Sequence, residues 1–266
     1  FNTSYAMYLA VLGSMIHGMT VPGSIEAAQR ARGYTRGLFE WIRKAPWGNP
    51  AFSGMFMSLV MFGFLGGISG VVMGAEQINL IMHNTLYVPG HFHATVVAGT
   101  TLTFMAVTYL LVPLIFRREL VLKPLAKIQP YVFGIGVAGI SFFMMGAGTL
   151  GVARRHWDIT FADATFSFDF PGTAFLMLGL NGLSAILAAV GGLIYVVVVV
   201  GSILFGRKIG DDEAVLEVPT VAASTYGSAK SVSIPGTVAL VTVFFTVFVL
   251  YYFVNWKYLA EVWPLR

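Results

Sequence analysis

The sequence predicts an all-α protein, a polytopic bundle of membrane-spanning helices, and three observations carry that prediction. Hydrophobic residues make up 57% of the 266 and charged residues only 11%, with a mean hydropathy of +0.78. Apolar runs of 20 or more residues recur along the whole chain, as in polytopic membrane proteins. They far exceed the roughly ten-residue alternating strands of a membrane barrel, and in lipid a helix satisfies its own backbone groups.

Six spans are expected, approximately Tyr5–Ile25, Phe52–Gly74, Leu86–Phe116, Tyr131–Val152, Gly172–Phe205 and Pro235–Val254, in one transmembrane domain over residues 1–266. Those longer than about 20 residues need tilt or project beyond the hydrocarbon. Pro22, Pro89 and Pro113 suit helix ends or kinks. In the second span Gly54, Gly63, Gly66, Gly67 and Gly70 permit close helix contact. The sixteen basic residues divide by side. Twelve fall in the connections after spans one, three and five, including Arg117, Arg118, Lys123, Lys127, Arg207, Lys208 and Lys230; Arg154, Arg155, Lys257 and Arg266 fall opposite. The positive-inside rule places the twelve in the cytoplasm and both termini outside. A net charge of +4 collected in loops needs no nucleic-acid partner. Without cysteine, any metal must be held by histidine or oxygen ligands. The chain opens at Phe1 with neither an initiator Met nor a signal-peptide start, so it is expected to be a section of a longer polypeptide.

His91 and His93 are the two histidines of the uncharged run from Thr85 to Phe116. A helix turns about 100° per residue, so these positions point to nearly opposite faces. They cannot chelate one metal together, but they can serve two separate metals or cofactors, one on each side of the helix. Ionisable groups at membrane depth point to function by default; neutral, hydrogen-bonded histidines are the alternative. The expected topology brings His83, Arg154, Arg155 and His156 to the membrane face where the helix of His91 and His93 begins. Paired arginines hold carboxylates or phosphates through forked hydrogen bonds, and haem propionates would fit; lipid headgroups or an ion pair with Asp158 are the alternative. Ser14, His17 and Thr20 lie three apart on the first span and form one polar stripe.

The string His83-Asn84-Thr85-Leu86-Tyr87-Val88-Pro89-Gly90-His91-Phe92-His93 resembles the tenth helix of subunit I in haem–copper oxygen reductases, and most nearly that of the B-type cytochrome c oxidases. Gly37-Leu38-Phe39-Glu40-Trp41-Ile42-Arg43, followed by Pro46-Trp47-Gly48-Asn49-Pro50-Ala51-Phe52, resembles the loop between the eighth and ninth helices. Ala153-Arg154-Arg155 resembles the arginine pair after the eleventh. The resemblance covers essentially the whole chain, most weakly after Phe205, and equates the six spans with helices eight to thirteen of a thirteen-helix subunit.

That resemblance implies two haems. His91 would ligate the iron of the high-spin haem, opposite which oxygen binds beside a copper ion, and His93 the iron of the low-spin haem. Arg154 and Arg155 would bind propionates. His83 matches a position near the high-spin propionates, as a proton-loading group or as a fixed neutral partner. Asn79 stands in the same region where an acidic residue is expected, and Asn84 where A-type oxidases carry Asp. Ser14 fits the proton path of the first helix; His17 replaces an expected hydroxyl, and His17 and Thr20 are relay or structural candidates. No His-His pair occurs, so the copper ligands and the second low-spin ligand are expected on helices before Phe1.

The function implied is the haem-binding part of a terminal respiratory oxidase in a prokaryotic cell membrane, reducing O2 to water with electrons from cytochrome c, coupled to proton translocation. Its implied partners are the N-terminal half of subunit I, a copper-bearing subunit II, cytochrome c or quinol, and membrane lipid. A nitric oxide reductase of the same superfamily is the second enzyme reading. A haem-free transporter or scaffold is the reading from a different class.

Overall fold

The computed structural model describes residues 2–155, 170–215 and 233–262. His156, Asp158 and Lys230 lie outside the described residues. The elements are helical, and no β-strand forms among the described residues. There are two compact units: Phe1–Ser4 with Gly48–Val215, and Tyr5–Trp47 with Leu216–Arg266.

In the larger unit, α3 (Pro50–Met61) passes through a π-helical segment, π1 (Phe62–Gly67), into α4 (Ile68–Gly74). The start of α3 is written locally: the Asn49 side chain accepts from the amides of Ala51 and Phe52, and Pro50 occupies the first turn. A short helix, α5 (Glu76–Met82), follows where an outer loop was expected. Next, α6 (Tyr87–Phe92) runs through π2 (His93–Thr101) into α7 (Leu102–Phe116). Finally α8 (Lys123–Thr149) and α9 (Gly172–Phe205) form the broadest helix contact. By length and composition four helical runs can cross a membrane, Pro50–Gly74, Tyr87–Phe116, Lys123–Thr149 and Gly172–Phe205. Lys123 and Lys127, expected in a connection, lie in the first turns of α8, because Pro124 favours an early helix start. Their long side chains keep the charge at the helix end.

Small residues close the bundle. Gly136 meets the Ala188 backbone and Gly191 meets Phe133, so α8 and α9 touch through main chain. Ala98, Leu102, Phe133, Val137 and Ala188 form an apolar core. The fully buried Gln129 has its oxygen bonded by the Tyr109 hydroxyl at 3.0 Å, and its amide donates to the Gly191 carbonyl at 3.2 Å. Such satisfaction is what a polar side chain needs where no water reaches.

Each end of this unit is strapped. At one end Arg118 and Lys208 form an antiparallel bridge, and Arg207 donates to Glu119 at 3.1 Å and to Glu213 at 2.7 Å. At the other, Thr85 bridges Ala153 and the Leu86 amide donates to the Val152 carbonyl at 2.8 Å.

In the second unit, α1 (Asn2–Ala31), α2 (Glu40–Arg43) and α10 (Pro235–Val262) meet at a buried carboxylate. Glu26 accepts from the first-turn amides of α10, Gly236 at 2.9 Å and Thr237 at 2.6 Å, and from Arg30 Nε at 2.8 Å. A carboxylate there satisfies orphan amides and favours the helix dipole. Gly236 has no room for a Cβ, which would meet the Trp41 indole and the Leu38 carbonyl. Trp41, from the Trp-containing loop motif, is fully buried. Helices thus occupy the positions of the first and sixth expected spans, with the apolar part of α10 running from Pro235 to Leu250.

Two outcomes follow for the larger unit. A Cβ at Gly191 would lie 2.5 Å from the Phe133 amide nitrogen, whereas at Gly192 the nearest atom is 4.0 Å away. Gly191→Ala is therefore expected to lower stability by about 1–3 kcal/mol. Gly192→Ala should leave it unchanged or raise it by up to about 1 kcal/mol, through helix propensity. Thermal unfolding of the purified protein separates the two, and equal effects would contradict this packing. Hydrogen bonds from the Arg207 guanidinium hold the Glu119 and Glu213 carboxyls below their ordinary range. Lowered carboxyl values stabilise the fold above the unfolded value, and the contribution is lost as pH falls through the folded value. The protection factors of the Glu119 and Ile209 amides, which join the two strapped segments, should therefore fall below about pH 4; protection that stays constant down to about pH 3, after correction for the intrinsic pH dependence of exchange, would contradict it.

Candidate functional site

The site is built on the helix that opens at Tyr87. Gly90 is buried, and a Cβ there would stand 2.8 Å from the Met145 amide nitrogen and 2.9 Å from the Ser141 carbonyl. Ser141 donates its hydroxyl to the Gly90 carbonyl, which ties α6 to α8. One turn on, Gly148 admits the Tyr87 backbone. These contacts fix the backbone leading into His91.

His91 and His93 use their Nδ1 atoms differently. His91 Nδ1 lies 3.0 Å from the Ser69 hydroxyl on α4, so the neighbouring span orients it. His93 Nδ1 lies 2.7 Å from the Pro89 carbonyl of its own helix. That carbonyl, which can only accept, requires a proton on His93 Nδ1 and leaves Nε2 with its lone pair. A metal-ligating histidine has this arrangement: one nitrogen donates to a carbonyl or other acceptor and the other coordinates. Both rings are partly exposed, and Phe92 between them is 52% exposed. Among the described residues no group of three or more His, Cys, Asp or Glu side chains is placed to hold a metal ion. Each histidine is a single donor, suited to a metal whose other positions are filled by a macrocycle.

The arginine pair is held close to this helix. Asn84 takes a left-handed backbone, φ 66°, which asparagine tolerates better than most residues. Its carbonyl accepts from the Arg154 amide at 2.8 Å and its side-chain oxygen from Arg154 Nη2 at 2.9 Å. Arg154 Nε is buried and meets no hydrogen-bond partner among the described residues. A buried orphan N–H is rare and costly, and an acidic oxygen would satisfy it. Arg155 is exposed, with φ 70°. His83 is exposed at the end of α5. The Asn79 amide donates to the Met73 carbonyl at 2.8 Å and so closes the end of α4.

Ser14, His17 and Thr20 all fall on α1, in the second unit. His17 and Thr20 are exposed, and the Thr20 carbonyl accepts from the Ser24 hydroxyl at 2.7 Å. The Ser14 side chain lies outside the described side chains. Sequence reasoning missed Ser69, Ser141 and both π segments. The available signal was a serine within a glycine-rich apolar run, three residues after Gly66.

The family model described as cytochrome c and quinol oxidase polypeptide I matches residues 3–190. This chain belongs to that family. All the candidate site residues lie within the match. A cytochrome c oxidase subunit 1 of Thermus thermophilus is 36% identical over 191 residues, covering 68% of this chain and 32% of the relative. A second sequence of that name and species is 37% identical over 117 residues, 44% of this chain and 98% of its own length. Among solved structures, a heme-copper terminal oxidase dimer seen by cryo-EM is similar with a TM-score of 0.71 and 29% identity, over 90% of this chain and 42% of that one. The chain thus spans about a third of the first relative's length and under half of the solved chain's. The family and the four long apolar helices make this a multi-pass, helical membrane protein of the heme-copper oxidase fold.

Proposed function

We propose that this chain is the haem-ligating, C-terminal half of the core subunit of a B-type cytochrome c oxidase in a prokaryotic cell membrane. The observation that carries the reading is the pair of single-donor imidazoles on one helix, His93 locked for coordination through Nε2 by the Pro89 carbonyl and His91 held by Ser69. His93 would hold the iron of a low-spin haem, and His91 that of a high-spin haem. Arg154 would donate its unpartnered Nε–H to a propionate, with Arg155 as the second cation. The bound haems, with a copper ion whose histidine ligands would come from chain outside this sequence, supply electron transfer and the reduction of O2 to water.

The chain's own residues supply position, charge and protons. Arg154 would offset propionate charge at a site already tied to Asn84, and its positive charge would favour the reduced haem. His83, exposed and next in the chain to that arginine's partner Asn84, is the proposed proton-loading group. Asn79 replaces an acidic group with a neutral amide, so proton exit would not pass through a carboxylate at that position. Ser14, His17 and Thr20 supply hydroxyl and imidazole groups along α1 for proton uptake. A copper-bearing second subunit and cytochrome c are the proposed partners in electron delivery, and proton translocation is the proposed coupling.

Substitution separates the two histidines. In the purified complex His93→Ala is expected to remove the low-spin haem spectrum, and His91→Ala to abolish carbon monoxide binding to the reduced haem. Retention of both signals in both variants would sink the assignment. Arg154→Leu should shift the midpoint potential of one haem without loss of either; an unchanged redox titration would argue against propionate contact.

A further inference from the structure

We propose that Ser69 is a positioning residue that fixes His91 in the tautomer whose Nε2 is free for the haem iron, an inference that rests on the function proposed above. Ser69 is only 5% exposed, so water does not compete for its hydroxyl. That hydroxyl has a single proton and three neighbours: the Leu65 carbonyl, the Gly66 carbonyl at 3.1 Å and His91 Nδ1 at 3.0 Å. Carbonyls only accept, so a hydroxyl oxygen this close to two of them gives them its proton rather than set lone pair against lone pair. Toward His91 the oxygen then presents a lone pair, and Nδ1 must carry the ring proton. In the neutral imidazole this leaves Nε2 as the free donor.

The backbone explains why the hydroxyl sits there. Ser69 follows π1 by two residues, where the helix ladder changes register between the π and α patterns. A serine at such a point bonds back to the preceding turn. Gly66, on the same turn, lies against Thr95, and a Cβ there would stand 2.7 Å from Thr95 Cγ2. The close approach brings α4 within reach of the His91 ring. Acceptance from Nδ1–H makes an imidazole more basic, strengthens its bond to iron and stabilises the oxidised metal. His93 draws the same effect from Pro89 on its own helix, so Ser69 acts on one haem and leaves the other untouched.

The test compares Ser69→Ala with Ser69→Thr in the purified complex, reading the iron–histidine stretching band of the reduced high-spin haem by resonance Raman and both haem potentials by redox titration. Ser69→Ala should move the band to lower wavenumber and the high-spin potential upward, with the low-spin potential unchanged; Ser69→Thr should restore both. A band and potential identical to the unsubstituted protein's in Ser69→Ala would overturn the proposal and leave the Gly66 carbonyl, which also lies against the ring, as the sole orienting group. If Ser69→Ala does not assemble, Ser69→Val against Ser69→Thr makes the same comparison at matched volume. Failure of the underlying reading is distinct: His91→Ala would then keep the carbon monoxide-sensitive haem and its band.

Discussion

An imidazole taken into a region without water must place both ring nitrogens, and this constraint organises the larger unit. His93 meets it within its own helix, by bonding Nδ1 to the carbonyl one turn back. His91 meets it across the bundle, through Ser69 of the neighbouring span. Once each Nδ1 is engaged, Nε2 is the atom left to act. Two residues apart on one helix, the two positions face nearly opposite ways, which suits the proposed ligation of two haems.

The glycines and serines near the site follow from the same requirement. A hydroxyl can orient a ring on another helix only if the backbones come close. Gly66 against Thr95, Gly90 against Met145 and Gly148 against Tyr87 are places where a side chain would force them apart. Ser69 and Ser141 each use a hydroxyl buried between spans, the first on His91 and the second on the carbonyl just before it. The π segments lie beside both histidines, with π1 ending just before Ser69 and π2 opening at His93, in keeping with the frequent use of such irregular turns at functional sites.

Much of this was legible in the residues. Apolar runs mark the helices, and an imidazole pair in an uncharged run marks the candidate site, because both signals are set by the absence of water. The arginine pair was legible as chemistry, but its tie to Asn84 was not, since contacts between residues 70 apart leave no local pattern. Ser69 escaped notice because a serine in a membrane helix ordinarily bonds to its own preceding turn; only the approach of the next span gives it a second role. Helix α5 was hidden in a connection whose seven helical residues are too few to show a period. The displaced start of α8 reflects lysines that a charge count assigns to a loop although Pro124 begins a helix there.

The central claim, one closed and one open haem on a single helix, is tested most directly by an optical spectrum of the complex containing this chain, reduced with dithionite and then exposed to carbon monoxide. The account predicts two haem signals of which one shifts with carbon monoxide and the other does not. A spectrum without haem absorbance, or with both signals shifting, would contradict it.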